Sequence, residues 1–384
     1  MNKLNINNFK CFQDCDIEIN NLTVLAGANG YGKSSVIQTL LFMRHTIEKV
    51  CNFDKQQQQF IENPNNLCTE INLNDSYDLS LGYSSSIINR EIQKSEVRFQ
   101  ISDEENDLDF HLSYYIDASE DKLWVQFNEI FIKKAAEFSI LKKEFYYLNA
   151  ERIGPRVSHT LHHTPFLNTG YKGELTAQVI NFNNGREKVN SDRIFPGSKN
   201  ENLEAQVNNW LDFIIPGVRV TAKTDTQTLT SRILIENQLT KNDPIIATNI
   251  GFGISYILPV IVTGLIAKPN TFFIVENPEA HLHPSAQSKI GIFLAMVANS
   301  GVKVIVETHS DHVINGIQIA VASNTEFKEK TTVNYFSLDD DTNQPLIKAI
   351  KILEKGQLSD WPKGFLDQAQ QDYSYLLKLR SGNV

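Results

Sequence analysis

Gly27-Ala28-Asn29-Gly30-Tyr31-Gly32-Lys33-Ser34 is the stretch on which the reading of this chain turns. It satisfies the pattern G-x-x-x-x-G-K-[S/T] in full. Before it stands LTVLA (22–26), an apolar run of strand character. After it come Ser35 and VIQTLLFMRHTIEKV, which sets Val36, Leu40, Met43 and Ile47 on one helical face. Strand, glycine-rich loop and helix are the context that a phosphate-wrapping loop requires. Backbone N–H groups of such a loop surround a phosphate chain, and the helix turns its positive end toward the same charge. Lys33 is expected to reach the terminal phosphates and the Ser34 hydroxyl to ligate Mg²⁺. Asn29 and Gly30 suit the left-handed turns of the loop. A glycine-rich turn with a chance lysine would not explain the strand and helix on either side.

The last third of the chain supplies the rest of a site. TFFIVENPE (271–279) reads as a buried strand ending in a carboxylate, and VKVIVETHS (302–310) as a second. Glu276 is expected beside the loop, holding Mg²⁺ with Ser34. His309, at the end of the second strand, is placed to sense a γ-phosphate or an attacking water; a lone histidine there is otherwise structural. Gly251, Gly253 and Ser255 open a helix and make a weaker anion site. Apolar strands alternating with helices argue a parallel sheet covered on both faces.

Between these blocks, 69–148 reads as a run of strands separated by polar turns, forming an antiparallel sheet. Residues 155–200 read as loops, 203–215 as a helix and 218–239 as a hairpin. VNYFSL and LIKAIKI form another hairpin around DDDTNQP. The expected fold is α/β, a P-loop NTPase with a mostly parallel core sheet flanked by helices and an added antiparallel β region. Its core is expected over 1–50 and 245–338, an inserted region over 51–244, and a hairpin and helical extension over 339–384.

Composition narrows the function classes. With 384 residues the chain can bury a full core without disulfide or metal staples. Thirty-six Lys and Arg against 45 Asp and Glu leave a net charge of −9, which argues against a whole-chain grip on nucleic acid. The four cysteines form no CxxC pair and read as reduced thiols of a cytoplasmic protein. The opening MNKLNINNFKCF has no apolar run of a secretory signal. The most apolar stretch, Ile254 to Ala267, is too short for a bilayer, where about 20 residues are needed. No membrane association is expected.

Taken together, these blocks resemble the ABC-type ATPase heads of SMC-like proteins and of the OLD (overcoming lysogenization defect) type bacterial ATPases. The likeness is greatest to the small AAA-family ATPases whose Walker B reads ENPEAHLHP. It is carried by LNINNFKCFQDCDIEINNLTVLAGANGYGKSS, VENPEAHLHPSAQSKIG, VETHSDHVINGI, WPKGFLDQ and, less clearly, YLNAERIGPR at 147–156. The resemblance implies that Asn29, Gly30, Gly32, Lys33, Ser34 and Ser35 bind ATP, with Glu276 as the Walker B carboxylate and His309 as the switch histidine. It implies that Gly251, Gly253 and Ser255 cap the γ-phosphate of a partner's ATP, so that ATP and Mg²⁺ join two copies into a homodimer. It further implies a separately encoded effector, a nuclease or toxin, in anti-phage or mobile-element defence. A DNA-repair or DNA-clamping ATPase is the alternative, using Lys and Arg near 142–156 and 186–199.

Some positions depart from that class. Its usual order is Asp-Glu-Pro, with Glu as general base; here Glu276-Asn277-Pro278 puts Asn277 at the base position. Glu279 or His309 is then left to position the water, or the chain is a nucleotide switch with little hydrolysis. Glu151, Arg152 and Arg156 read either as phosphate contacts or as structural ion pairs. His281 and His283 invite a metal reading but lack further ligands. Asp339, Asp340 and Asp341 invite comparison with a Toprim nuclease but fall in a hairpin turn.

Overall fold

A computed structural model describes residues 2–381 except 93, 118–119, 184–185, 238–242, 250, 325–329, 340–341, 343, 363 and 366–367. β1 (Asn2–Phe9) and β2 (Phe12–Ile19) form a hairpin, and β3 (Leu22–Gly27) leads through the glycine loop into α1 (Lys33–Val50). A short hairpin follows, β4 (Cys51–Asp54) with β5 (Gln59–Glu62), then β6 (Glu70–Asn72) and the single turn α2 (Ser84–Ile87). Three long strands come next: β7 (Glu96–Asp103), β8 (Leu108–Tyr115) and β9 (Trp124–Lys133). β10 (Phe145–Leu148), β11 (His159–Thr160), α3 (Thr176–Phe182) and α4 (Leu203–Ile214) precede the hairpin of β12 (Val218–Asp225) and β13 (Thr230–Asn237), which β14 (Ile245–Ile246) extends. The last third runs α5 (Phe252–Ile266), β15 (Phe272–Glu276), α6 (Pro284–Asn299), β16 (Lys303–Glu307), α7 (Asp311–Ser323), β17 (Thr331–Leu338), β18 (Pro345–Lys351) and α8 (Gln368–Ser381).

Two six-stranded sheets organise these elements. One has the order β10-β15-β16-β3-β17-β18; its first five strands pair parallel, and β18 closes one edge antiparallel. The other, β2-β1-β7-β8-β9-β6, is antiparallel throughout. Among the described residues antiparallel pairing prevails, and parallel pairing is confined to the first sheet. The apolar runs explain this. On β3 and β15–β16, Val24, Phe273, Val275, Val304 and Val306 turn to a core shared with α4, α5 and α6. Leu25, Phe272, Ile274 and Ile305 turn to a second core shared with α1 and the antiparallel sheet. A strand covered on both faces must be apolar on both, which removes the alternation seen in half-exposed strands such as β7.

The boundaries expected at 50, 244 and 338 do not follow the sheets. β1 and β2 join strands of the 51–244 segment, β10 from inside that segment forms an edge of the parallel sheet, and β18 lies beyond 338 yet pairs with β17. Sheet membership is set by partners in space, which shifts in composition along the chain do not report.

Candidate functional site

The glycine loop is bent by three residues in the left-handed half of backbone space: Gly27, Gly30 and Gly32, at φ 134°, 84° and 101°. Asn29, expected to share that geometry, does not. Two of the glycines are also sterically required. A Cβ on Gly27 would lie 2.2 Å from the Phe336 carbonyl oxygen of β17, and one on Gly32 would lie 2.6 Å from the Phe12 ring and 2.9 Å from Cys11 Sγ. Gly32 starts α1 without a side-chain cap, whereas Asn202, His283 and Ser310 cap α4, α6 and α7. First-turn N–H groups of α1 are thereby left for a ligand.

Lys33 is 3% exposed, and its Nζ donates to the carbonyls of Gly27 at 2.9 Å and Ala28 at 2.6 Å. Burial holds its pKa below the usual lysine range. Ser34 Oγ donates to Glu307, at 3.0 Å from Oε1 and 3.3 Å from Oε2. This pairing departs from the expected one with Glu276, and the strand order is the reason. β16 lies between β15 and β3, with Glu307 in register with Leu25 on one side and Glu276 on the other. Glu307 is 5% exposed; burial, then the neighbouring Glu276, push its carboxyl up to about 7. Glu276 is also raised by burial, and it accepts from the Tyr147 hydroxyl at 2.7 Å and from the Ala150 backbone.

The turn after β15 completes this edge. Asn277 has φ 44°, its N–H donates to the Glu307 carbonyl at 2.8 Å, and its Oδ1 is buried without a partner. Glu279 accepts the His309 backbone N–H at 2.9 Å through Oε1, while Oε2 is buried and unpartnered. The imidazole of His309 meets the Gly27 carbonyl, and burial and then Lys33 lower its pKa. Lys33, Ser34, Glu279, Glu307 and His309 therefore gather at one sheet edge, with Glu276 one strand further out. Ser35 lies behind the loop, where its hydroxyl meets Cys11.

Gly251 and Gly253 stand elsewhere. They border a pocket of about 380 Å³ with His281 and His283, and a Cβ on Gly253 would lie 2.9 Å from the His281 carbonyl oxygen. Ser255 faces a separate small cavity with Arg156 and His159. His283 Nδ1 accepts from Ser285 N as the cap of α6, and His281 packs edge-on to Tyr256, so neither is arranged as a ligand. Asp339 receives both the N–H and the hydroxyl of Thr342, as a turn residue does; Asp340, Asp341 and part of WPKGFLDQ lie outside the described residues.

Arg152 answers the choice between phosphate contact and structural role. It is 2% exposed and donates to the carbonyls of Asn149, Tyr256, Glu276 and Asn277, at 2.6–3.1 Å. It holds the turn after β15 to the start of α5. Arg193 is likewise buried and donates to the Ala267 and Gly264 carbonyls and to Ser300. Both suggested basic stretches thus turn an arginine inward. From sequence, Glu307 stood in the polar cluster Glu307-Thr308-His309-Ser310 that ends the second buried strand, without a ligand role, and Tyr147 was not singled out. A carboxylate ending a buried strand was the same signal that marked Glu276, but choosing between them needed the strand order.

The site's residues fit a nucleotide and a hard cation. The uncapped helix start and Lys33 suit phosphate; the Ser34 hydroxyl, Glu307 and the orphaned acceptors of Asn277 and Glu279 suit Mg²⁺ with part of its water shell. Among the described residues no group of three His, Cys, Asp or Glu forms a metal cage by itself. No helix there is long and apolar enough to cross a membrane.

Comparison with known proteins follows the same outline. A crystal structure of an Smc head bound to the C-winged helix domain of ScpA aligns with TM-score 0.51 at 13% identity, covering 91% of this chain and 97% of that one, a likeness of fold. The SMC head domain from Thermotoga maritima aligns with TM-score 0.43 at 12% identity over 90% of this chain and 97% of its own. The Old nuclease of Escherichia phage P2 is 37% identical over 70 residues, 17% of this chain and 12% of that protein. This chain therefore matches only a small part of that relative's length. Residues 328–376 match a family described as "Protein of unknown function (DUF3696)". Residues 22–315, from β3 into α7, match the family described as "AAA domain, putative AbiEii toxin, Type IV TA system". By that match, spanning most of its length, the chain belongs to this AAA-domain family of ATP-binding and ATP-hydrolysing proteins.

Proposed function

We propose that the protein binds ATP with Mg²⁺ at the glycine loop and acts as a dimerising, ATP-dependent switch on a separate effector. The observation that carries this reading is the loop itself: α1 starts uncapped, Lys33 is folded over the loop carbonyls, and the Ser34 hydroxyl is held by a buried carboxylate. Lys33 exchanges its two carbonyl partners for phosphate oxygens, and the α1 N–H groups bind the phosphate chain. An open pocket of about 600 Å³, lined by Lys10, Gly30, Tyr31, Asn89 and Arg90, adjoins the loop and has room for the nucleoside. The metal supplies charge neutralisation at the phosphates. His309, between Gly27 and Lys33, is placed to register whether a third phosphate is present, and Arg152 carries any shift of the Walker B turn to α5.

Gly251, Gly253 and Ser255 line pockets that Lys33 does not share, which supports a role across a dimer rather than within one subunit. An effector encoded separately, a nuclease or toxin acting in cytoplasmic anti-phage defence, is supported by analogy with the Old nuclease and the toxin family named above. Purified protein is expected to retain fluorescent ATP and to dimerise with it in light scattering. Lys33→Ala is expected to lose both; retention of both by this variant would refute the reading.

Asn277 favours a variant of this function, a switch that turns over slowly. An amide accepts no proton at neutral pH, and its oxygen here has no partner. On that account Asn277→Glu raises phosphate release by at least about tenfold. An unchanged or lower rate places the base at Glu279 or His309.

A further inference from the structure

We infer that Glu307, not the Walker B residue Glu276, is the protein carboxylate that binds the cation beside Ser34. This rests on the nucleotide reading above. Three observations point to it. Strand order places Glu307 next to the glycine loop's own strand, β3, and Glu276 one strand beyond it. Glu307 meets the Ser34 hydroxyl through both carboxylate oxygens, and among the described residues that carboxylate has no other hydrogen-bond donor. Glu276 is occupied differently: the Tyr147 hydroxyl, from β10, and the Ala150 N–H, just beyond that strand, hold its carboxylate.

The physical argument is about competition. A hard cation beside a phosphate takes oxygen ligands and keeps some water. The Ser34 hydroxyl, once its oxygen faces a cation, keeps its proton and goes on donating it to one Glu307 oxygen. The other Glu307 oxygen is then offered to the cation at the same place, without moving its strand. Glu276 would first have to release two donors and reach across β16. It orients the turn that carries Asn277 and, at most, water around the ion. Glu307 is therefore assigned as a direct ligand, and Glu276 and Tyr147 as positioning residues.

The test separates metal from nucleotide. Binding of the fluorescent nucleotide mant-ADP is measured in EDTA. Mn²⁺ affinity of the protein–mant-ADP complex is measured by electron paramagnetic resonance, for wild type, Glu307→Gln and Glu276→Gln. Glu307→Gln is expected to weaken Mn²⁺ by at least about tenfold, with EDTA-resistant mant-ADP binding within about twofold of wild type. Glu276→Gln is expected to change Mn²⁺ affinity by about threefold or less. Glu307→Asp, which keeps the charge but withdraws it by one methylene, is the second variant if Gln does not fold, and it too is expected to weaken Mn²⁺. Wild-type Mn²⁺ affinity in the Glu307 variants, or a larger loss in Glu276→Gln, overturns the assignment while leaving the nucleotide reading intact. Failure of wild type to bind mant-ADP with or without metal overturns that reading, and this assignment with it.

Discussion

In the parallel sheet, Gly27, Glu276 and Glu307 end three strands, and Lys33, Ser34 and His309 follow within a few residues on the same edge. In the antiparallel sheet the strand ends divide between two edges, and the turns that join them carry residues such as Asp107, whose partner is the exposed Lys133. The inward side chains of both sheets are equally buried: Leu4, Ile6, Phe99, Phe110 and Leu112 are as inaccessible as Val304 and Ile305. The difference lies in direction. Parallel strands bring all their carboxyl ends to one side, so loops far apart in sequence converge there. Alternating strands scatter theirs. The antiparallel sheet instead contributes a wall. Phe12 and Cys11, at the β1–β2 turn, close on Gly32, and Lys10 donates to Gln38 of α1. One sheet carries the chemistry, and the other fixes the shape of the loop on which it acts.

The sharpest way to break this division is to damage the wall alone. Phe110→Ala empties a fully buried position in the antiparallel core and should cost about 3–5 kcal/mol in denaturant unfolding. Nucleotide affinity of the protein that remains folded should be unchanged, because the Phe110 ring packs on Phe138 and takes no part in the loop. A parallel loss of affinity would mean that the two sheets do not divide the work.

Arg152→Leu tests the chemical sheet in the same currency. It leaves carbonyls of Asn149, Tyr256, Glu276 and Asn277 without their donor, and should cost about 2–4 kcal/mol. Unlike Phe110→Ala, it should also uncouple ATP-driven dimerisation from binding, since it frees the turn after β15 from α5. Equal effects of the two variants on dimerisation would remove the distinction.

How much of this was legible in the sequence follows the same division. The phosphate loop was readable because glycines, Lys33 and Ser34 are contiguous and their spacing is dictated by a phosphate chain. The buried strands β15 and β16 were readable because both faces had to be apolar. What was not readable was order. Glu276 and Glu307 look alike along the chain, and only the insertion of β16 between β15 and β3 gives Ser34 to Glu307. Arg152 was ambiguous for a related reason: its four carbonyl partners come from three separate segments. The edge strands β10 and β18 were missed as members of the parallel sheet because they are short or half-exposed and sit outside the recognisable blocks.

Gly32→Ala addresses the contact between the two regions. The residue has φ 101°, and an added methyl would press on Phe12 and Cys11. Strain of this kind should cost about 1–3 kcal/mol. Nucleotide affinity should fall as well, because the same residue starts α1. A second change, Phe12→Leu, should recover part of the stability by giving the methyl room, but little of the affinity, since the left-handed turn remains strained. Full recovery of both would make the wall, not the loop conformation, the sole constraint.

The smallest effect is expected at His45, on α1 where that helix packs against the antiparallel sheet's core. His45 is 1% exposed, neither ring nitrogen has a partner, and burial holds its pKa below the ordinary histidine range. The folded state therefore binds fewer protons than the unfolded chain near and below pH 6.5, the ordinary histidine value. Stability from this group is present above that pH and declines as the pH falls through it, because only the unfolded state gains by taking up the proton. His45→Met keeps an apolar side chain of similar bulk and removes the titration. Unfolding midpoints of wild type and variant should be close at pH 8 and diverge at pH 5.5 in favour of the variant. Nucleotide affinity should be unchanged at either pH, since His45 is three turns along α1 from Lys33. If wild type instead gained on the variant at low pH, the imidazole would have to be charged in the folded state, and the nearby carboxylates of Asp75 and Glu48 would have to outweigh the burial that opposes them.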